Sequence, residues 1–212
     1  MVEFKSLEKK ENIYLYAGDL SQILINDINN KFIGLSLSQS NSNHIQFDIT
    51  DPIPLENNTV DIFCAEDVME HIEYKFQTNI FNEIHRILKP NGIFRLAVPD
   101  YRCDILFERT LKTMKGELKF DPGGGGSYSK IRRKVVGGGH VWFPNYQNVK
   151  NIFYNSNFED KKVNFLHYYV DLNNYFIKEI DYSICHISRT PDHDLRVSDP
   201  RRPMSIVVDA KK

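Results

Sequence analysis

The sequence has few cysteines and no long apolar run. Its three cysteines, Cys64, Cys103 and Cys185, are widely spaced and form no paired metal-ligand motif. An odd number of thiols without a secretory leader favours a reducing compartment, so we expect a cytoplasmic protein. No segment approaches the ~20 apolar residues that a helix needs to cross a bilayer, so no membrane span is predicted.

The sequence also lacks a strong charge of either sign, with a formal net charge of -1 at pH 7. Without a positive field over the whole molecule, we expect no nucleic-acid partner and no binding to a membrane surface. Hydrophobic residues make up 41% of the chain and charged residues 26%, which is typical of a folded globular protein. At 212 residues, a single domain spanning residues 1–212 is predicted.

Short apolar runs recur through the first half of the chain, each ended by polar residues, glycine or proline. The predicted strands are Asn12–Gly18, Lys31–Leu37, His44–Ile49, Val60–Glu66 and Gly92–Asp100. Between the last two, apolar residues from Phe76 to Leu88 recur at helical spacing, and Lys89-Pro90-Asn91-Gly92 ends the predicted helix. A strand, a helix and a second strand form a βαβ unit, and its repetition predicts a parallel sheet.

Glycine is concentrated in the middle of the chain. The clusters Gly123–Gly126 and Gly137–Gly139 bracket a basic segment, Lys130–Lys134. Because clustered glycines make regular structure entropically costly, residues 115–140 are predicted to form a mobile loop or lid. The alternative is a disordered linker without a role.

The last third of the chain predicts a helix over Asn145–Asn157 and closing strands over Lys161–Val170 and Met204–Ala210. The aromatic span Tyr168–Tyr182 fits either a helix or a strand. The predicted fold class is therefore α/β, with a Rossmann-like, mostly parallel sheet flanked by helices. A glycine-rich lid insertion and C-terminal antiparallel strands complete the prediction.

Acidic residues follow several predicted strands, at the edge where ligands bind in open α/β sheets. They are Asp19, Asp48, Glu66, Asp67 and Asp100. Negative charge at this edge would repel a nucleotide phosphate. It favours a ligand that carries hydroxyls, an amine and a positive centre.

The segment Phe47–Asp100 then combines several specific motifs. Asp48 precedes Ile53-Pro54-Leu55, Val68-Met69-Glu70-His71 follows the fourth strand, and Arg86–Gly92 leads into the fifth. In this combination the chain resembles the methyltransferase-11-type class I S-adenosylmethionine-dependent methyltransferases. The resemblance implies S-adenosylmethionine as cofactor and methylation of an oxygen or nitrogen on a small-molecule or sugar-containing acceptor.

The resemblance also implies which residues hold the cofactor. Asp48 and Ile49 are expected at the adenine, the turn Ala17-Gly18-Asp19 at the methionine part, and Glu66 and Asp67 beside the methyl-transfer centre. Two parts of the family pattern are missing. The first loop reads YAGDLS instead of carrying three glycines, and Leu37-Ser38 replace the usual ribose-binding carboxylate.

His71 and His140 are the candidate catalytic acid–base residues, because imidazoles titrate near neutral pH. His71 alternatively packs at the start of a helix. His140 follows three glycines, so a lid could carry it into the site, or it is a solvated hinge residue. No metal site is predicted, since the adjacent side chains of Asp192-His193-Asp194 cannot easily face one ion.

Two further groups leave alternatives open. The basic segment Lys130–Lys134 and Arg201-Arg202 fit a phosphate-bearing substrate or a solvated surface. The aromatic residues fit a stacking platform or the core; they are Trp142, Phe143, Tyr146 and Tyr168.

Two other functions compete with methyl transfer. The missing glycines and ribose carboxylate favour a noncatalytic binding or scaffold module with a degenerate methyltransferase fold. A nucleotide-using dehydrogenase is disfavoured, since the sequence lacks the glycine-rich phosphate fingerprint that such enzymes need.

Overall fold

The computed structural model describes residues 1–27 and 31–212. The α-helices in these ranges are α1 (Phe4–Leu7), α2 (Gln22–Ile25), α3 (Gln77–Ile87), α4 (Asp104–Arg109) and α5 (Tyr146–Tyr154). The strands of the first half are β1 (Tyr14–Ala17), β2 (Ile33–Ser36), β3 (His44–Gln46), β4 (Val60–Glu66) and β5 (Leu88–Pro99). The later strands are β6 (Leu111–Lys112), β7 (Leu118–Phe120), β8 (Ser127–Ser129), β9 (Lys134–Val136), β10 (Val163–Tyr169), β11 (Tyr175–Ile177) and β12 (Ser205–Lys211).

The main sheet of the described chain has the strand order β11-β10-β12-β5-β4-β1-β2-β3. The strands β1 to β5 are parallel to one another, whereas β12 runs antiparallel to both β5 and β10. The edge strand β11 pairs antiparallel with β10. This mostly parallel sheet with antiparallel C-terminal strands confirms the predicted fold class.

The strand order reverses next to β1, which determines where a ligand can bind. From β1 the chain continues to β2 and β3 on one side and then crosses to β4 and β5 on the other. The connections therefore leave β1 and β4 in opposite directions and open a crevice beyond the carboxyl ends of these strands.

The two long helices, α3 and α5, cover one face of the sheet. Phe81 of α3 packs edge-on against Phe94 of β5, with ring centroids 5.0 Å apart, and lies 4.8 Å from Phe153 of α5. All three side chains are buried. Both predicted helices are confirmed, because their apolar stripes match the sheet surface that they cover.

The opposite face is covered by α2 and by the chain between β11 and β12. Ile180, Cys185 and Ile187 form a buried cluster with Leu24 of α2 and Val207 of β12. This C-terminal cover has little regular structure, and it holds the sheet surface away from water through apolar contact.

Most predicted bounds differ by a few residues, and the start of β5 differs for a clear reason. β5 begins at Leu88 rather than at Gly92, because Leu88 already pairs with Val60 before an irregularity in the register. The Asn91 backbone has a φ of 67°, so the predicted turn lies within the strand. The ambiguous span 168–182 holds the end of β10 and the short strand β11.

The segment 115–140 is not loop alone, because it holds β7, which pairs with the preceding β6, and the β8–β9 hairpin. β6 pairs with β7, β8 pairs with β9, and the two glycine clusters flank the second pair. A Cβ on Gly139 would lie 2.2 Å from the carbonyl oxygen of Gly125, so the clusters pack backbone against backbone. Glycine is required here for close approach, and the lid role stays a prediction.

Among residues 1–27 and 31–212, no helix combines the length and the apolar character needed to span a membrane.

Candidate active site

A cleft of about 570 Å³ opens at the carboxyl ends of β1, β2, β3 and β4. Its volume falls within the range of roughly 300–1,000 Å³ that is usual for small-molecule and cofactor sites. The backbone and side chains that follow these four strands line it, together with Gly138 of the 115–140 segment. The cleft therefore lies where the strand order predicts a ligand.

The loop after β1 has one glycine at the cleft and a histidine behind it. The φ of Gly18 is 92°, and a Cβ there would lie 3.2 Å from a methyl carbon of Val68. The N–H of Leu20 donates to Nε2 of His44 at 3.0 Å, which ties the loop to β3. Gly34 makes room for this imidazole, because a Cβ at Gly34 would lie 2.5 Å from the ring. The loop thus keeps a fixed shape despite its single glycine.

The end of β2 provides hydroxyl and backbone groups instead of a carboxylate. The buried Ser36 hydroxyl accepts hydrogen bonds from the N–H groups of Ser38 and Gln39 at 3.1 and 2.9 Å. Leu37 lines the cleft with a side chain that is 72% exposed. Leu37 and Ser38 therefore occupy the position where the family pattern has a ribose-binding acid.

The end of β3 places Asp48 and Ile49 side by side at the cleft. Oδ1 of Asp48 accepts from the N–H and the hydroxyl of Thr50, at 2.9 and 2.8 Å. The Ile49 side chain is buried. A fixed carboxylate beside an apolar surface suits a heterocycle that carries an amino group.

The end of β4 carries two carboxylates that point in different directions. Asp67 lines the cleft, its φ is 55°, and its Oδ2 lies 3.0 Å from Nε of Arg189. Oε1 of Glu66 accepts from the N–H groups of Ser188 and Arg189, at 2.7 and 3.1 Å. Burial raises the pKa of Glu66 to about 7, and burial also raises the pKa of Asp67 against the opposing effect of Arg189. Both carboxylates thus hold the C-terminal segment, and Asp67 also lines the cleft.

His71 is exposed to the cleft at the end of the short 3-10 turn Met69–His71. Its Nδ1 lies 2.8 Å from the carbonyl oxygen of Gly138, so this nitrogen carries the proton when the bond forms. The Met69 carbonyl accepts from the side chains of Gln77 and Trp142 at 2.7 and 2.9 Å. The turn is fixed on both sides, which orients the imidazole.

His140 lies behind His71 and is only 4% exposed. The Tyr101 hydroxyl donates to Oδ2 of Asp121 at 2.6 Å and contacts Nδ1 of His140. Arg109 lies 2.6 Å from the same carboxylate oxygen. Burial lowers the pKa of His140 to about 4, so this imidazole is neutral at physiological pH.

Glu70 is buried next to His140. Its carboxyl group is fully buried, and Oε1 is 3.5 Å from Nε2 of His140. The His71 and His140 rings meet edge to face, with centroids 4.7 Å apart. Burial raises the pKa of Glu70 well above its usual range.

Six of the nine predicted site residues line the cleft. They are Gly18, Asp19, Asp48, Ile49, Asp67 and His71. Among the described residues, Ala17, Glu66 and His140 are not part of the lining. Ala17 is buried within β1, and His140 reaches the site only through contact with His71.

The polar sequence Asp192-His193-Asp194 has separate partners for each side chain. Asp192 pairs with Arg201 at 2.6 Å, and Nδ1 of His193 lies 2.8 Å from the Ile187 carbonyl oxygen. Asp194 pairs with Arg196 at 2.6 Å. These three side chains therefore stabilise a loop.

The other predicted groups lie outside the cleft lining in the described chain. The basic segment Lys130–Lys134 joins β8 to β9 and is largely exposed. Tyr146 and Tyr168 stack on each other at 4.4 Å, and Trp142 packs against Tyr74 at 5.1 Å.

Sequence reasoning missed four residues of this region: His44, Glu70, Tyr101 and Asp121. Glu70 stands within the motif that includes His71, which was a usable signal. The other three act through contacts with residues 20 to 39 positions away, such as the contact of Tyr101 with His140. Local spacing carries no information on contacts of this kind.

Residues 9–96 match a family model described as a methyltransferase domain. The match runs from the approach to β1 into β5, and so includes every strand end at the cleft. A search of curated proteins finds no match.

Solved structures of methyltransferases share the fold. A SAM-dependent methyltransferase from Archaeoglobus fulgidus has a TM-score of 0.56 and 11% identity, over 98% of this chain and 90% of that chain. A Thermotoga maritima protein described as a SAM-dependent methyltransferase, possible histamine N-methyltransferase, has a TM-score of 0.54 and 13% identity, over 99% and 86%. A Listeria monocytogenes protein described as a S-adenosylmethionine-dependent methyltransferase has a TM-score of 0.52 and 15% identity, over 99% and 94%.

Proposed function

We propose that this chain, whose residues 9–96 match the methyltransferase-domain model, is a class I S-adenosylmethionine-dependent methyltransferase that methylates an oxygen or nitrogen of a small-molecule or sugar-containing acceptor. The observation that supports this proposal is the cleft at the ends of β1 to β4. It joins a cofactor-binding surface to an exposed imidazole within one continuous space.

The residues of the cleft fit an adenosyl cofactor. Asp48 and Ile49 provide a carboxylate and an apolar surface for the adenine, and the Gly18 backbone leaves space for close approach. The Ser38 backbone and hydroxyl replace the missing acid as polar groups near the ribose. Asp19 places negative charge where the sulfonium and the amino group of the methionine part are expected, and Asp67 lines the same region while it pairs with Arg189 at 3.0 Å.

S-adenosylmethionine, when bound, would supply an electrophilic methyl group to the acceptor atom, with S-adenosylhomocysteine as the leaving group. The chain contributes position, because an in-line displacement gains most from holding both reactants in register. His71 lines the part of the cleft assigned to the acceptor and orients the polar group of the acceptor. His140 is a positioning residue, since it contacts His71 and lies outside the cleft lining in the described chain.

Calorimetric titration with S-adenosylhomocysteine tests the proposal directly. We expect one binding event per chain that is weakened at least tenfold by Asp48→Ala. Asp160→Ala, an exposed acid far along the chain between α5 and β10, is the matched control and is expected to bind as the wild type does. Absence of heat and of any thermal shift at millimolar ligand would refute the proposal and favour the noncatalytic module.

A further inference from the structure

An unpartnered carboxyl group lies directly behind the cleft. Glu70 is 0% exposed, and neither of its side-chain oxygens has a hydrogen-bond partner among the described residues. Burying a polar group without a partner costs roughly 1–3 kcal/mol, and more for a charged group. A buried carboxyl group without a partner therefore favours a role in binding a ligand.

Two imidazoles lie close to this carboxyl group. Oε1 of Glu70 lies 3.5 Å from Nε2 of His140. One donor atom from each of Glu70, His71 and His140 lies within 4.8 Å of the other two. Three donor atoms therefore converge on one point, with His71 exposed on the cleft side.

The second nitrogen of each imidazole already has an oxygen partner. Nδ1 of His71 lies 2.8 Å from the Gly138 carbonyl oxygen. Nδ1 of His140 contacts the Tyr101 hydroxyl, which itself donates to Asp121 at 2.6 Å. Histidines that bind metal ions use the same arrangement, because a proton held on Nδ1 leaves the lone pair on Nε2 for the ion.

We propose that Glu70, His71 and His140 bind one divalent transition-metal ion. Two imidazole nitrogens and one carboxylate oxygen suit zinc, cobalt, iron or manganese, whereas magnesium and calcium prefer oxygen ligands alone. Three protein ligands leave coordination positions on the side of the cleft, which is the pattern of a catalytic site. Gly124 packs closely on the His140 ring and keeps that imidazole in place. A Cβ at Gly124 would lie 2.5 Å from the ring.

The role of the ion rests on the proposed methyl transfer. An acceptor hydroxyl that binds the ion loses its proton to solvent near neutral pH. Its oxygen then forms a bond to the methyl carbon, and the carbon–sulfur electron pair returns to sulfur. The products are the methyl ether, S-adenosylhomocysteine and one proton, and the ion keeps its oxidation state.

Cobalt(II) titration of the untagged, EDTA-treated chain tests the site. We expect visible d–d absorption that saturates at one ion per chain, with magnesium unable to displace it. His71→Asn is expected to weaken cobalt binding about 100-fold or more, since removal of an outer partner alone costs 10–100-fold. Because His71 is exposed, this variant is expected to keep its fold, and thermal unfolding without metal verifies that.

A second histidine pair supplies the matched control. The rings of His186 and His193 lie 4.3 Å apart, outside the cleft. We expect His193→Asn to bind cobalt as the wild type does and Glu70→Gln to bind it weakly. Loss of the absorption in His193→Asn but not in His71→Asn would overturn the proposal, as would a wild-type chain that binds no cobalt.

S-adenosylhomocysteine titrations of the same samples separate the two proposals. Cofactor binding without cobalt binding would refute the metal site and leave the methyltransferase proposal intact. Cobalt binding at Glu70, His71 and His140 without cofactor binding would support the metal site and refute the methyltransferase proposal.

Discussion

At the residue scale, Gly18 directly follows β1 and lines the cleft that is proposed to hold the cofactor. Its φ of 92° costs a residue with a Cβ about 1–2 kcal/mol, and the added atom would press on Val68. Because Gly18 and Val68 both line the cleft, we expect Gly18→Ala to lower the affinity for S-adenosylhomocysteine about tenfold. This corresponds to a loss of ~1.4 kcal/mol in binding free energy. Calorimetric titration measures this change.

Gly116→Ala is the control for this change. Gly116 has a similar φ of 81°, but a Cβ there meets nothing within 4 Å in the turn between β6 and β7. We expect the same small loss of stability in both variants and a loss of affinity only in Gly18→Ala. Equal affinities in the two variants would contradict a role of Gly18 at the cofactor.

The sequence predicts cleft residues well where they follow a strand of the parallel sheet. Asp48 and Asp67 were placed correctly at the cleft because parallel strands bring their carboxyl ends to one edge. Glu66 is the last residue of β4 and lies outside the cleft lining of the described chain, whereas Asp67 follows the strand with a φ of 55° and lines the cleft. The bond from the Leu20 backbone to His44 depends on the space at Gly34, which only the assembled sheet defines.

At the element scale, the two glycine clusters hold the segment 115–140 together. A Cβ on Gly139 would lie 2.2 Å from the Gly125 carbonyl oxygen and force two backbone segments apart. Overpacking of this kind costs roughly 1–3 kcal/mol, so we expect Gly139→Ala to destabilise the β8–β9 hairpin locally. Faster trypsin cleavage within Lys130–Lys134 under native conditions measures the opening.

Gly137→Ala separates packing from backbone strain. Gly137 has a φ of 76°, and its Cβ would make only an ordinary contact at 3.8 Å with Gly126. We expect this variant to be cleaved at a rate within twofold of wild type. Equal acceleration in both variants would show that backbone strain, not contact between the clusters, governs the opening.

Element length explains which parts of the fold were predictable. β4 was predicted with its observed bounds, because seven apolar-rich residues between polar ends leave little choice. β8 and β9 have three residues each and lie among glycines, so their pairing comes from the turn and from the packed clusters. β11 is equally short and forms only because β10 provides an edge.

At the scale of the whole molecule, the C-terminal chain is attached to the sheet by buried charges. Arg95 of β5 is 0% exposed and binds both oxygens of Asp209 on β12 at 2.8 and 2.7 Å. It also donates to the carbonyl oxygens of Asp181 and Cys185, at 2.7 and 2.9 Å. At the cleft edge, Glu66 holds the same C-terminal chain through the backbone of Ser188 and Arg189.

Protonation of Glu66 therefore links this attachment to pH. Burial raises its pKa from 4.5 to about 7 in the folded chain, so the folded state binds the proton more tightly than the unfolded state does. The resulting stability is fully present below pH 4.5 and decreases as the pH rises to about 7. At 1.36 kcal/mol for each pH unit, the contribution is on the order of 3 kcal/mol.

Glu66→Gln is expected to remove this dependence, because a glutamine oxygen accepts the same two backbone hydrogen bonds and does not ionise. Urea unfolding between pH 5 and 8 measures it, and the difference between variant and wild type cancels the titration of all other groups. We expect the variant to gain stability relative to wild type as the pH rises.

Glu83→Gln is the control. The hydrogen bond with Arg86 lowers the pKa of Glu83, so the stability that Glu83 contributes to the fold is lost only in acid. A pH-independent difference for Glu66→Gln would mean that this carboxylate stays ionised in the folded chain, and that its bonds to Ser188 and Arg189 outweigh its burial.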